Sequence, residues 1–332
     1  MTVRAPALAA LLLFAPACVS TGGGAAAPAA PPEGGNPPAA AEDPAKPGDA
    51  RKPDAALDPQ GKSALYGRID SLAESWQRAN AEPGGRAADD ARALETAIAR
   101  EAWTNLEAVL ADLKSSSNPR WRSSAARGLG FVVDPRARPA LEAALGEGDA
   151  RLLSSVLVSL ARHGDADTGD RAVAALLRHA DPVVRGNAAL CLARVFQARV
   201  RQGLPAVSPA ERMADMEAEL AVLLFDPADP IVRGNAAQAL GDLGSPGAED
   251  ALLNRLRDDS TFVRIKAARA LAHCGSPRAD PPLLDALARE PEENVRTMLA
   301  LALGAIAERQ GKVPPHADLG TDAAKWRAWL GR

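Results

Sequence analysis

A short motif recurs along the chain at nearly constant intervals, and it constrains the fold more than any other feature. Residues 184–189 and 232–237 are identical hexapeptides that read Val-Arg-Gly-Asn-Ala-Ala. Four related segments, one of them degenerate, begin at Trp121, Leu152, Val263 and Val295. The arginine position falls at residues 122, 153, 185, 233, 264 and 296, so the intervals are 31, 32, 48, 31 and 32 residues. This period, with one longer interval, indicates a repeat protein.

Each copy of the motif predicts one α-helix. With the arginine position counted as zero, apolar residues recur at −1, +3, +4, +7 and +10, which places them on one helical face. Every copy has leucine at +7: Leu129, Leu160, Leu192, Leu240, Leu271 and Leu303. A second amphipathic stretch precedes each motif, so each unit is predicted to be helix–turn–helix.

The residues between the two helices of a unit are typical of turns and helix ends. Asp, Asn or Ser can cap free N–H groups, and Pro is tolerated in the first helical turn. Such pairs stand at Asn118-Pro119, Asp181-Pro182, Asp229-Pro230 and Asp259-Ser260. Left-handed glycine ends are expected for three second helices, at Gly164, Gly244 and Gly275. One unit cannot bury both apolar faces, so the units must stack.

The pattern V-R-x-x-A-A-x-x-L at this period resembles HEAT-like repeats of the phycobilisome-lyase type, over residues 102–310. The resemblance implies an all-α, right-handed α-α superhelix of about six helical pairs. Leu153 in place of arginine and the insertion around residues 196–216 depart from the pattern. That family includes scaffolds, adaptors, a chromophore lyase and DNA-binding members, so the resemblance predicts the fold more closely than the function.

Helical caps are predicted on both sides of the repeats, because the ends of a solenoid need a polar cover. Residues 61–101 contain two amphipathic stretches, one with Leu65, Ile69, Leu72 and Trp76 on a single face. In residues 311–332, Trp326 and Trp329 are spaced to lie together over the last repeat.

The first residues resemble a bacterial lipoprotein signal peptide. A basic Arg4 precedes nine apolar residues, too few to span a bilayer, and small residues lead to Cys18. The resemblance implies removal of residues 1–17 and acylation of Cys18. Ala15 stands where the family usually has leucine, and Ala15-Pro16-Ala17 also fits an ordinary signal peptidase site, which would yield a soluble secreted protein. Both interpretations export the chain.

Residues 18–60 are predicted to be a disordered tether that follows the lipidated cysteine. From residue 19 to 60 there are nine prolines and no aromatic residue. Such a stretch buries too little apolar surface to offset its conformational entropy. A spacer suits an anchored domain, although a segment without a role is the alternative.

No constellation of catalytic or metal-binding residues occurs in the sequence. The four histidines lack ligand spacing, and His163 occupies an apolar position of the repeat whereas His273 is expected to be more exposed. Cys191 and Cys274 lie two units apart and are predicted to be buried free thiols. We therefore expect a protein that is not an enzyme and has no cofactor, metal or small-molecule substrate.

The recurring arginine is predicted to be structural. In HEAT-like repeats this residue usually pairs with an acidic turn residue of a neighbouring unit, and the matching turns contain Asp181, Asp229, Asp259 and Glu292. A ladder of ion pairs is expected, in preference to capture of a phosphate or carboxylate ligand.

A partner-binding face is predicted on the second helices, which line the concave wall in HEAT-like proteins. Positions +2 and +5 are expected to face solvent there. The polar residues among them that lie next to one another in the stack are Asn187, Asn235, Gln238, Lys266 and Arg269. This patch suits an extended acidic or polar peptide, and an ordinary solvated face is the alternative. The insertion, with Met213 and Met216, is a second candidate surface, although packing of both methionines is favoured.

The sequence thus predicts a non-catalytic envelope lipoprotein that binds a protein or peptide, and it leaves two alternatives. A lyase or isomerase of the bilin-lyase type rests on family analogy alone. A DNA-binding module is disfavoured by the net charge of −3 and the signal peptide. Val19 after the cysteine favours the outer membrane, facing the periplasm, as the location of the anchor.

Overall fold

The described part of the chain is built from α-helices. The computed structural model describes residues 57–81, 85–207 and 211–331, and within these ranges only α-helices and short 3-10 turns occur as regular secondary structure. The all-α prediction is confirmed. The predictions for the signal peptide, Cys18 and the greater part of the tether fall on residues 1–56, which lie outside the described residues.

Two helices precede the repeats and cover their first end. They are α1 (Pro59–Ala81) and α2 (Gly85–Thr104), which pack on each other and on α4 (Pro119–Leu129), the second helix of the first unit. Leu65, Ile69 and Ile98 are fully buried there. Trp76 meets Phe131 edge-on, with ring centroids 5.4 Å apart. An N-terminal helical cap is therefore present as expected.

Six helix pairs follow. The first helices of the pairs are α3 (Leu106–Ser115), α5 (Ala137–Ala143), α7 (Asp170–Ala175), α9 (Glu211–Leu223), α11 (Glu249–Arg255) and α13 (Asp280–Arg289). The second helices, besides α4, are α6 (Ala150–His163), α8 (Pro182–Arg201), α10 (Pro230–Leu243), α12 (Thr261–Cys274) and α14 (Glu293–Arg309).

The second helices form a continuous layer in which each packs on the next, from α4 to α14. First helices of neighbouring units touch one another much less. In a stack of two layers, the layer with the closer spacing lies on the inside of the curve, because the inner path is shorter. The second helices therefore form the inner wall of the solenoid. All six leucines at position +7 are fully buried beneath it.

Glycines allow the inner helices to approach closely. A Cβ atom on Gly241 of α10 would lie only 2.5 Å from the Cα atom of Ala270 on α12. A Cβ on Gly234 would overlap the ring of Phe262. Because the clash at Gly241 is with backbone, a larger residue there would force α10 and α12 apart, whereas at Gly234 the Phe262 ring would have to move.

Three of the four predicted side-chain caps are confirmed, whereas Ser260 begins α12 without a side-chain cap hydrogen bond and one predicted helix end is wrong. Asn118, Asp181 and Asp229 accept hydrogen bonds from backbone N–H groups of the first helical turn. Gly164 and Gly244 adopt left-handed backbone conformations, with φ of 53° and 71°. Gly275 does not, since its φ is −65°. It is needed for space instead, because a Cβ there would meet the Leu271 carbonyl oxygen at 2.5 Å.

The insertion lengthens α8, and α9 begins at Glu211. Met216 is buried but Met213 is exposed, so packing is confirmed for only one of the two methionines. At the other end of the chain, α15 (His316–Leu319) and α16 (Ala323–Leu330) follow the last unit, and α16 packs on α13. Trp326 is fully buried and meets Trp329 edge-on at 5.9 Å. This confirms the predicted tryptophan cover.

Among the described helices, none combines the length and apolar character that crossing a bilayer requires.

Candidate binding face

Three rows of side chains run across the inner wall, at positions +2, +5 and +9 of the motif; we call them the inner face. Steps of three and four residues return to the same side of a helix, so each second helix from α6 to α14 contributes one residue to every row. The polar members cluster where α8, α10 and α12 meet. Rows +2 and +5 were predicted from the sequence, whereas row +9 was missed, although one more step of four residues leads to it.

The prediction that rows +2 and +5 face solvent is wrong at the centre of the inner face. Asn235, Gln238 and Lys266 are 5%, 3% and 6% exposed. Asn187 and Arg269 are half-buried. The physical reason is the close approach of α10 to its neighbours, which leaves a narrow polar seam in place of an open wall.

Two of the predicted residues connect neighbouring units. The side-chain amide of Asn187 donates a hydrogen bond to the Ser154 hydroxyl at 2.8 Å. That of Asn235 donates to the backbone carbonyl of Gly186 at 2.9 Å. Both asparagines therefore connect neighbouring second helices, and the buried Asn235 has a structural role.

Lys266 is the least conventional group on the inner face. Its ammonium donates a hydrogen bond of 2.5 Å to Oε1 of Gln238 and lies 5.3 Å from the centre of the Phe262 ring. Burial and, to a smaller extent, the nearby cations Arg269 and Arg194 together lower the pKa of Lys266 to about 7, against the opposing effect of Asp242. The amine is thus poised to change its charge near neutral pH.

The missed row +9 supplies the surrounding charges. It contains Arg194 on α8, Asp242 on α10 and His273 on α12, the last of which is exposed as the sequence predicted. Asp242 accepts a hydrogen bond of 2.7 Å from Gln197, and burial raises the pKa of its carboxyl. One carboxylate therefore faces several basic groups, so the cluster has an excess of positive charge.

Hydrogen-bond donors also outnumber acceptors in the cluster. Within the described ranges, Nε and Nη2 of Arg269 and Nε2 of Gln238 are buried without a hydrogen-bond partner. A lysine ammonium only donates, so Gln238 turns its Oε1 toward Lys266 and its Nε2 away from it. Buried donors without an acceptor are costly, and they mark a place where an acceptor can bind.

The arginine ladder exists, but its acidic partners differ from the predicted ones. Four motif arginines bind a carboxylate in the turn of the following unit, at 2.6–2.9 Å: Arg122–Glu147, Arg185–Asp226, Arg233–Asp258 and Arg264–Glu290. The acids therefore stand one to three residues before the predicted Asp229, Asp259 and Glu292. Asp181 and Asp229 cap their helices instead. Arg296 of the last unit pairs with Glu293 of its own helix.

Where one unit lacks the arginine, the turn of the following unit lacks the acid. The carboxylates stand six residues before the next arginine position, or seven at Asp226. For the degenerate unit, which has Leu153 in the arginine position, six residues before Arg185 is His179. The arginine and its acidic partner are thus both missing at the same step of the ladder. This supports a structural role for the pair.

The remaining candidate residues have packing roles. His163 is half-buried and its Nε2 lies 3.0 Å from the Leu129 carbonyl oxygen, and burial lowers the pKa of its imidazole. Cys191 is a buried free thiol, as predicted, with a pKa raised to about 12 by burial. Cys274 is also free, but it is only half-buried, so that part of the prediction is wrong.

Comparison with known proteins identifies the class. A family model described as HEAT repeats matches residues 106–193 and 217–304, more than half of the chain. The chain therefore belongs to the HEAT-repeat family. The two matched blocks include all or most of each of the six second helices.

Several solved structures are similar to this chain. An engineered protein is 24% identical, with a TM-score of 0.51 over 61% of this chain and 99% of that one. The complex of CpcE and CpcF of phycocyanin lyase from Nostoc sp. PCC7120 is 17% identical, with a TM-score of 0.44 over 86% and 100% of the chains. A designed armadillo repeat protein in complex with the peptide (KR)4 is also 17% identical, with a TM-score of 0.46 over 60% and 99%. Among curated proteins, none matches.

Proposed function

We propose that the chain is a non-catalytic envelope lipoprotein whose HEAT-repeat solenoid binds a protein or peptide partner along the inner face. One observation carries the proposal: the polar side chains of three successive second helices converge on a seam with unsatisfied donors. A seam that served only to pack helices would gain stability from apolar residues. The location rests on the sequence of residues 1–18 alone.

The proposed partner contact is tested by crosslinking in intact cells. A photo-crosslinking amino acid placed at Asn187 or Leu301, both half-buried at the margins of the polar cluster, is expected to capture a defined partner. The matched control is Ala288, which is exposed on the first helix α13 and thus on the outer layer. Equal yields from Ala288 and from the two inner positions would contradict a partner on the inner face.

The anchor is tested separately in the same cells. We expect Cys18→Ser to remove metabolic labelling by an alkyne fatty acid and to move the protein from the membrane fraction to the soluble fraction. Cys191→Ser serves as the control, because this thiol is buried and its raised pKa keeps it unreactive. Persistent labelling of the Cys18→Ser protein would contradict acylation at this residue.

A further inference from the structure

Two other arginines of the chain show which acceptor the unpaired nitrogens of Arg269 fit. In this chain, Arg233 uses Nε and Nη2 to bind the two oxygens of Asp258, both at 2.8 Å. Arg264 uses the same two nitrogens to bind the two oxygens of Glu290, both at 2.9 Å. These are bidentate pairs, in which a planar fork matches a planar carboxylate. In Arg269 this same fork has no partner among the described residues.

The charges around Arg269 favour an anion. Lys266 of the same helix, Arg194 of α8 and Asp242 of α10 belong to the same cluster, in which the basic groups outnumber the one carboxylate. His273 adjoins Asp242, and Arg309 of α14 acts on His273. The carboxylate pairs of Arg233 and Arg264 show which anion this fork holds elsewhere in the chain. A carboxylate is therefore the anion that we assign to the cluster.

Apolar residues flank the polar centre on the same row. Position +5 is Leu190 on α8 and Leu301 on α14, on either side of Gln238 and Arg269. Both leucines are half-buried. The row therefore alternates from apolar to polar to apolar across four helices, which suits an acidic side chain within a polypeptide that has apolar residues on both sides of it.

We propose that the inner face binds an extended segment of a partner protein through one central carboxylate, held by the Nε and Nη2 fork of Arg269 together with Lys266 and the Gln238 amide. This inference rests on the proposed function and specifies the ligand of that face. Binding turns the guanidinium on its flexible stem so that the fork opens toward the seam. The apolar side chains of the segment lie against Leu190 and Leu301.

Helix spacing sets the length of the segment. Three steps between four neighbouring helices at 8–10 Å each span roughly 24–30 Å. An extended chain advances about 3.3 Å per residue, so the segment needs roughly eight or nine residues. We therefore choose the probe acetyl-Leu-Ser-Ser-Ser-Glu-Ser-Ser-Ser-Leu-amide, which has its acid at the centre and leucine at both ends. The control peptide has glutamine in place of the glutamate.

Binding is coupled to protonation of Lys266. The free amine has a pKa of about 7, with Arg269 and Arg194 opposing its charge and Asp242 favouring it. A bound carboxylate favours the charged form, so the amine takes up a proton when the segment binds above pH 7. The affinity should consequently fall as the pH rises above the pKa of the free protein.

The test is titration calorimetry of the full-length protein in detergent, at pH 6.5 and 8.5 and in buffers of different ionisation enthalpy. We expect the glutamate peptide to bind about tenfold more tightly than the glutamine peptide, as a charge-assisted bidentate contact allows. The affinity should drop about tenfold between pH 6.5 and 8.5, with proton uptake at pH 7.5. Arg269→Gln should abolish the preference for glutamate, and Lys266→Met should abolish the proton uptake.

The control is Arg257→Gln, which removes the same charge from an exposed site on the outer side and should leave binding unchanged. Equal affinity for the two peptides, or binding to the wild-type protein without proton uptake, overturns the proposal even if a variant fails to fold. Displacement of the peptide by equimolar inorganic phosphate also overturns it, in favour of a general anion site. A partner crosslinked from Asn187 together with a negative peptide titration would leave the proposed function standing and remove only this inference.

Discussion

Arg264→Met is expected to lower the free energy of unfolding by about 3 kcal/mol, because it leaves the buried carboxylate of Glu290 without its counter-charge. The guanidinium also donates hydrogen bonds to the backbone carbonyls of Asp258 and Asp259 at 3.0 and 3.2 Å. Arg264 therefore ties the turn of its own unit to the turn of the next. Urea-induced unfolding at pH 7 measures the loss.

A double-mutant cycle separates the ion pair from those turn contacts. Glu290→Gln keeps an acceptor in place but removes the charge, so the double variant Arg264→Met/Glu290→Gln should be more stable than the sum of the single losses predicts, by about 1–3 kcal/mol. Arg257→Met, at an exposed position outside the ladder, is the matched control and should change stability by less than about 0.5 kcal/mol. Strict additivity of the two single losses would contradict a ladder of coupled units.

Lys266→Met is expected to raise the free energy of unfolding by about 2–4 kcal/mol at pH 7, since burial of a charged amine opposes folding. The folded-state pKa is about 7 and the ordinary value is 10.5, so the unfolded chain binds more protons between these two pH values. The stability of the wild-type protein should therefore increase with pH in this window. The advantage of the methionine variant should shrink over the same range.

Denaturant unfolding of both proteins at pH 6, 7.5 and 9.5 measures this dependence. Lys312→Met removes the same charge from an exposed lysine and should have no such effect. A Lys266→Met protein that is less stable than the wild type, or whose stability has the same pH dependence, would show that the amine is a satisfied structural group.

Much of the fold was predictable because it depends on local patterns. The leucine at position +7 and the caps at Asn118 and Asp181 define helices and turns from residues close in sequence. The stacking followed from the apolar faces that a single unit cannot bury. HEAT-repeat membership then agreed with the resemblance carried by the Val-Arg-x-x-Ala-Ala pattern.

The proposed binding face was predictable only in its location on the second helices. Exposure of Asn235 and Lys266 depends on how closely α10 and α12 approach, and that distance is set by contacts between units, such as Gly234 with Phe262. The acidic partners of the ladder were predicted at the wrong positions, because the length of each turn decides which carboxylate reaches the arginine. The unpaired fork of Arg269 is a property of three-dimensional geometry that no spacing reveals.

Lys266 is costly to bury and is also central to the proposed contact. The buried charge lowers the free energy of unfolding, and we expect it to be kept for its part in the proposed contact, as is common at strained or charged functional sites. The arginine ladder differs from the inner face, because the same kinds of side chains are paired there and stabilise the stack.

The most direct measurement uses Lys266→Met in two assays: unfolding of the purified protein and crosslinking in cells from a probe at Asn187. We expect the Lys266→Met protein to be more stable than the wild type and to capture less of the partner. A less stable protein with undiminished crosslinking would contradict this expectation, because the buried amine would then be part of the scaffold and not of the binding site.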